Sequence, residues 1–216
     1  MIPLRDNIRS RKIPFITIIL IAINIFIFLY QNSLPSRAAN EFVYNWAVIP
    51  MLKYHQIWRL VTAAFLHGGW GHLLGNMLYL WIFGDNIEDE LGHFKFLIFY
   101  LLMAAIASAV QIVSDINSVI PVIGASGAVA GILGAYFVTY PYSRIVTFVP
   151  IFFFRIVHIP STVYLAVWFG TQFLSGILSD AAVASVAWWA HIGGFVAGAI
   201  IIKFFRPPKK QYFYYE

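Results

Sequence analysis

From Ile13 to Tyr30 the chain carries no charged side chain. A run of that length can cross the hydrocarbon core of a bilayer as a helix, for which about 20 mostly apolar residues are needed. Five further candidates follow, and together they predict six spans, at 14–31, 71–88, 95–114, 123–140, 161–178 and 184–204. The second is the least apolar, because His72, Asn76, Gly84 and Asp85 interrupt it. Composition says the same thing globally. Hydrophobic residues make up 61% of the chain and charged ones 11%, against about 45–50% and about 25% in soluble domains. A soluble fold of 216 residues has no place for so much apolar surface. The expectation is therefore an all-α fold, a polytopic membrane bundle of six transmembrane helices forming one domain over residues 1–216.

The basic residues orient that bundle. Arg5, Arg9, Arg11 and Lys12 precede the first span, and Lys203, Arg206, Lys209 and Lys210 close the last. Arg144 and Arg155 lie on the same side, whereas only Arg37, Lys53 and Arg59 fall opposite. By the positive-inside rule both termini are expected in the cytoplasm, with the protein in the cell (inner) membrane. Basic tails beside membrane helices are read as anchors and not as nucleic-acid patches. The N-terminus has a signal-peptide outline, but no small-residue cleavage site closes the apolar run, so it reads as a retained first helix.

The chain has no cysteine, which excludes disulfides, thiolate metal sites and cysteine nucleophiles. No His-Glu-x-x-His occurs, and neither a metal nor a cofactor is expected. The connection from Gln31 to Trp70 is long for a loop and carries Trp46, Trp58, Phe65 and Trp70, aromatics suited to the headgroup level. It is expected to be partly embedded in the membrane. The segment 145–159 is apolar but broken by Pro150 and Arg155, and is expected to lie along the inner interface. The aromatic run Tyr212 to Tyr215 suggests no role.

Three groups of residues bear on chemistry. In Gly124-Ala125-Ser126-Gly127, at the start of the fourth span, the serine reads either as a helix cap among packing glycines or as a nucleophile. On the second reading the glycines leave room for a substrate backbone, and first-turn N–H groups face a developing oxyanion. His191 lies within the sixth span, where an ionisable group suggests function by default. Gly127 and Gly131 form one small-residue stripe, Gly194 and Gly198 another. If the fourth and sixth helices pack through them, Ser126 and His191 meet at similar depth, and a neutral histidine there can act as general base. His72 and Asn76, four residues apart, share a face of the second span. They are either bundle glue or donors to an oxyanion.

Taken together, these residues resemble the rhomboid intramembrane serine proteases along nearly the whole chain. The matching features are Trp58-Arg59, His67 with His72-x-x-x-Asn76, and Gly84-Asp85-Asn86-x-Glu88-Asp89. Gly124-Ala125-Ser126-Gly127 and Ala190-His191-x-x-Gly194-x-x-x-Gly198 complete the set. The resemblance implies a dyad of nucleophile Ser126 and base His191, with His72, Asn76 and the Ser126 amide as oxyanion hole. It implies that the Trp58-Arg59 loop is the family's embedded structure. Its expected partners are the lipid bilayer and membrane-protein substrates with a transmembrane helix, not nucleic acid. Ala130 departs from members that carry a tyrosine four residues after the serine, which leaves the orientation of His191 open. Asp85, Asp115 and Asp180 all fall at helix ends, so no third triad member is evident. A client-binding relative without catalysis, or a small transporter, is the alternative.

Overall fold

The computed structural model describes residues 1–55, 57–150, 155–178 and 186–206. Asp180, Lys209, Lys210 and Tyr212 to Tyr215 lie outside the described residues. A short strand β1 (Ile2–Asp6) leads into helix α1 (Phe15–Ser33). The long connection then holds α2 (Ser36–Trp46), a 3-10 segment Pro50–His55, α3 (Arg59–Thr62) and a 3-10 turn Ala63–Phe65. Helices α4 (Trp70–Leu91), α5 (His93–Ser114) and α6 (Ser126–Thr139) follow. Strands β2 (Arg144–Val149) and β3 (Arg155–Pro160) precede α7 (Ser161–Leu178) and α8 (Trp188–Phe205).

Among the described residues four helices, α1, α5, α7 and α8, are long and apolar enough to cross a membrane. Helix α4 matches them in length but carries Asp85, Glu88, Asp89 and Glu90 in its last turns. Helix α6 has only 14 residues. Its sequence explains its place: glycine, alanine and medium apolar side chains point all round, and every residue from Gly127 to Tyr136 is buried. The outer helices instead expose large apolar side chains, among them Phe26 and Leu29 on α1 and Phe173, Leu174 and Ile177 on α7. Those are faces a lipid environment would cover.

The central seam joins α6 to α8. A methyl group built on Gly194 would run into the Gly127 carbonyl, and one on Gly198 into the Gly131 carbonyl. The two small-residue stripes therefore face each other with backbone against backbone. Any larger side chain there would push the helices apart, an overpacking that typically costs about 1–3 kcal/mol.

The bundle is not purely helical. β1, β2 and β3 form an antiparallel sheet in that order, with Ile2 opposite Phe148 and Arg144 opposite Pro160. The all-α expectation missed this sheet, because 145–159 reads simply as a broken apolar run. Its β-branched residues Ile145, Val146, Thr147, Ile156 and Val157 suit strands, and the partner β1 lies more than 130 residues away. The same end of the bundle is tied by polar contacts. Glu88, almost fully buried, accepts from the Ile16 and Thr17 amides and the Thr17 hydroxyl at 2.9, 2.8 and 2.7 Å. Helix α1 has no side-chain cap of its own at Pro14, so Glu88 of α4 caps it from across the interface. Asp6 accepts from Tyr136 Oη and Asn86 Nδ2, linking β1 to α6 and α4.

The connection before α4 is ordered by backbone contacts. Val48 pairs with Val122, and the Ala63 carbonyl accepts from the Gly124 amide at 2.8 Å. Arg59 donates to the Tyr44 carbonyl at 3.1 Å, and Ser108 on α5 donates to the Leu60 carbonyl at 3.0 Å. The connection thus fixes the strand-like segment that delivers the chain to the start of α6.

Candidate active site

Ser126 is the first residue of α6. Helix α6 starts later than the expected span because Ile123 to Ala125 form a turn ahead of it. Gly124 has φ +117° there, a conformation few side-chain-bearing residues adopt, and the His72 ring occupies the space a Cβ would need. The glycine is what lets His72 approach the backbone beside Ser126. At the first turn of α6 the leading N–H groups have no intrahelical partner. The Ser126 amide is one of them.

His72 sits in the first turn of α4 and Asn76 one turn on. The Gly68 amide donates to His72 Nδ1 at 3.4 Å. With Nδ1 accepting, the ring's hydrogen belongs on Nε2, the nitrogen that faces Gly124. Asn76 Nδ2 lies 3.1 Å from His67 Nε2. His67 is wholly buried, and burial, reinforced by His72, pulls it down to about 4, so it is neutral at pH 7. Its Nε2 then accepts one hydrogen of the Asn76 amide and leaves the second free.

His191 lies in the first turn of α8 and is buried. Its Nδ1 is 2.8 Å from Gln172 Oε1 on α7. The rings of Trp168 and Trp188 flank it, with centroids at 6.1 and 6.0 Å. The Ala190 amide donates to Gln111 of α5 at 3.1 Å, which caps the start of α8. Among the described residues no hydrogen bond joins Ser126 Oγ to His191. Such contacts are commonly long before substrate arrives. The two residues are nonetheless brought together, because both line one cavity of about 730 Å³ with His72 and Asn76. A smaller cavity of about 230 Å³ adjoins it and shares His72, with Gln111, Ser114 and Asp115 among its lining. No group of three or more His, Asp or Glu side chains is arranged to hold a metal among the described residues.

A cavity between helices with a serine at a helix start is a local geometry, and the family comes from the whole sequence. Residues 54–208 match the Rhomboid domain. The chain belongs to the rhomboid family. It is 34% identical over 171 residues to RHOMBOID-like protein 4 of Arabidopsis thaliana, covering 77% of this chain and 39% of that one. It is 44% identical over 78 residues to the rhomboid protease GluP of Bacillus subtilis, covering 36% and 15%. With the rhomboid protease GlpG of Enterobacter sp. it shares 29% over 109 residues, covering 50% and 38%. The chain spans less than half the length of these relatives. As a rhomboid with several apolar helices it is an integral membrane protein.

Of the residues singled out by sequence, Ser126, His191, His72 and Asn76 reach the one cavity. Trp58 and Arg59 do not line it: Trp58 is exposed, and Arg59 serves the connection. Gly127, Gly131, Gly194 and Gly198 form the seam beneath. Gln172 and Gln111 were missed. A lone glutamine on a helix carries no signature, and only the packing of α7 and α5 against α8 makes these two notable.

Proposed function

We propose that this rhomboid is a serine endopeptidase that hydrolyses peptide bonds in or next to transmembrane segments of other membrane proteins. What carries the reading is the convergence of a nucleophile, a base and two donors on one cavity of a membrane bundle. Ser126 Oγ attacks the substrate carbonyl carbon while its proton passes to His191 Nε2. The electron pair of the carbonyl moves to oxygen, where the Ser126 amide, His72 Nε2–H and the free Asn76 N–H meet it. Collapse breaks the C–N bond, and the imidazolium gives its proton to the leaving amine. A water then attacks the acyl-enzyme by the same route in reverse roles, which frees the second product and restores Ser126. The proposal includes six spans, counting α4 and α6, with α2 and α3 partly embedded. The Lys and Arg asymmetry supports cytoplasmic termini and a location in the cell membrane.

The alternative is a rhomboid that binds transmembrane clients without cleaving them. A serine and a histidine on a shared cavity favour catalysis, since a binder has no need of either. The test is labelling with a fluorophosphonate together with cleavage of a reconstituted transmembrane substrate. The wild type is expected to label and to cleave. Ser126→Ala and His191→Ala are each expected to lose turnover by about 10⁶-fold, with the double variant no worse. A wild type that never labels favours the binder, and residual cleavage by Ser126→Ala assigns the nucleophile elsewhere.

A further inference from the structure

A general-base histidine works only if the right ring nitrogen is free. For His191 Nε2 to take the Ser126 proton, Nδ1 must carry the hydrogen, and a fixed acceptor must hold it there. In soluble triads an aspartate does this, and replacing it leaves the wrong tautomer. Among the described residues no carboxylate contacts His191, and Ala130 puts no ring against it.

Gln172 Oε1 stands 2.8 Å from His191 Nδ1. Which end of the amide faces the ring follows from its neighbours. Thr171 Oγ1 donates to the Trp168 carbonyl at 2.6 Å, so its lone pairs are open to a donor. Gln172 Nε2 lies 3.3 Å from that oxygen. The NH₂ group is therefore turned to Thr171, and the carbonyl oxygen to the histidine. Trp168, one turn before Gln172 on α7, and Trp188 at the start of α8 limit how far the ring can swing.

We propose that Gln172 is a positioning residue for His191, its carbonyl holding the imidazole as the Nδ1–H tautomer with Nε2 turned towards Ser126. It does the orienting work of a triad carboxylate without the charge. The imidazolium formed during acylation therefore gains no neighbouring anion. This inference rests on the Ser126–His191 dyad proposed above.

The experiment compares the full chain with Gln172→Leu and Gln172→Glu in reconstituted vesicles. A fluorophosphonate probes Ser126 directly, and a transmembrane reporter gives kcat and KM across pH. Gln172→Leu removes the acceptor at similar volume. Its labelling rate and kcat are expected to fall by about 10–100-fold, the range seen when a metal-bound histidine loses its outer-shell partner, with KM little changed. Gln172→Glu restores an acceptor and adds a charge that favours imidazolium. Its kcat at high pH is expected to recover, and the acidic limb of its pH profile to move up by about one unit or more. His72 is the titratable group facing His191 from α4, and it is unaltered in both variants. A glutamine with a merely structural role would leave the labelling rate and kcat of folded Gln172→Leu unchanged. Wild-type labelling by Gln172→Leu, or an unmoved limb in Gln172→Glu, overturns the proposal. If Gln172→Leu fails to fold, Gln172→Met, which also lacks the acceptor at similar volume, decides in its place. Turnover surviving in Ser126→Ala would sink the dyad itself, whereas a dead Ser126→Ala beside a normal Gln172→Leu sinks only this inference.

Discussion

Asn76 and Glu88 are both polar, both buried and both on α4, twelve residues or about 18 Å apart along the helix axis. Their surroundings differ in one respect. Glu88 spends both carboxylate oxygens on partners in the chain: two amides and a hydroxyl of α1, and the ring of His93. Asn76 commits one hydrogen to His67 and points the other at a cavity, where His72, Ser126 and His191 also leave bonding capacity open. A buried polar group that is used up by its neighbours makes structure. Several left incomplete around one space are set for a ligand or a reacting atom.

That contrast can be broken in order of effect. At the cavity, His72→Ala and Asn76→Ala each remove one of the proposed oxyanion donors, and a single such donor is worth about 10²–10³ in rate. Cleavage should fall by that range or somewhat less, while fluorophosphonate labelling continues more slowly. Asn76→Ala should also melt lower than His72→Ala, since it strands His67 Nε2. Full activity in both variants would make this face bundle glue.

At the other end the expected loss is in stability. Glu88→Ala leaves the first turn of α1 and the Thr17 hydroxyl without their acceptor, and hydrogen bonds to charged groups are worth about 1.5–3 kcal/mol. A lowered thermal midpoint with unchanged turnover per folded molecule is the expected result. A normal midpoint with reduced turnover would move Glu88 from structure to chemistry.

The smallest effect belongs to Asp6, which shares the sheet end with Glu88. Burial, with the charge of Asp85, pushes its carboxyl up from 3.8 to about 6, against the Tyr136 hydrogen bond that lowers it. The folded state thus binds the proton more tightly than the unfolded chain does. Its contribution to stability is complete below the ordinary value and is lost as pH rises through about 6. The wild type should accordingly lose midpoint relative to Asp6→Asn between pH 4 and 7. Parallel midpoints over that window would show that β1 docks without regard to the Asp6 proton.

Much of this was legible in the chain. The six longer helices lie where the apolar runs predict, to within a few residues, although α6 is shorter at its start because Gly124 and its neighbours form the turn. The glycine stripes of α6 and α8 could be matched on spacing alone, because residues three and four apart share a helix face. His72 and Asn76 stood out because polar side chains within a span are costly. The sheet was not legible, since strand pairing depends on a partner far away in sequence.

The sequence by itself determined the class of environment, the helices and the polar residues that had to be accounted for, because these depend on local composition and period. Only the tertiary structure decided what those residues touch. It set Glu88 over the start of α1, closed β1 on β2, turned the His72 ring into the space beside Gly124 and brought Gln172 to His191. The reason is physical. A helix period fixes which side chains share a face, whereas the neighbour that face meets is settled by the packing of the whole bundle, and a single glutamine carries no local signal of it.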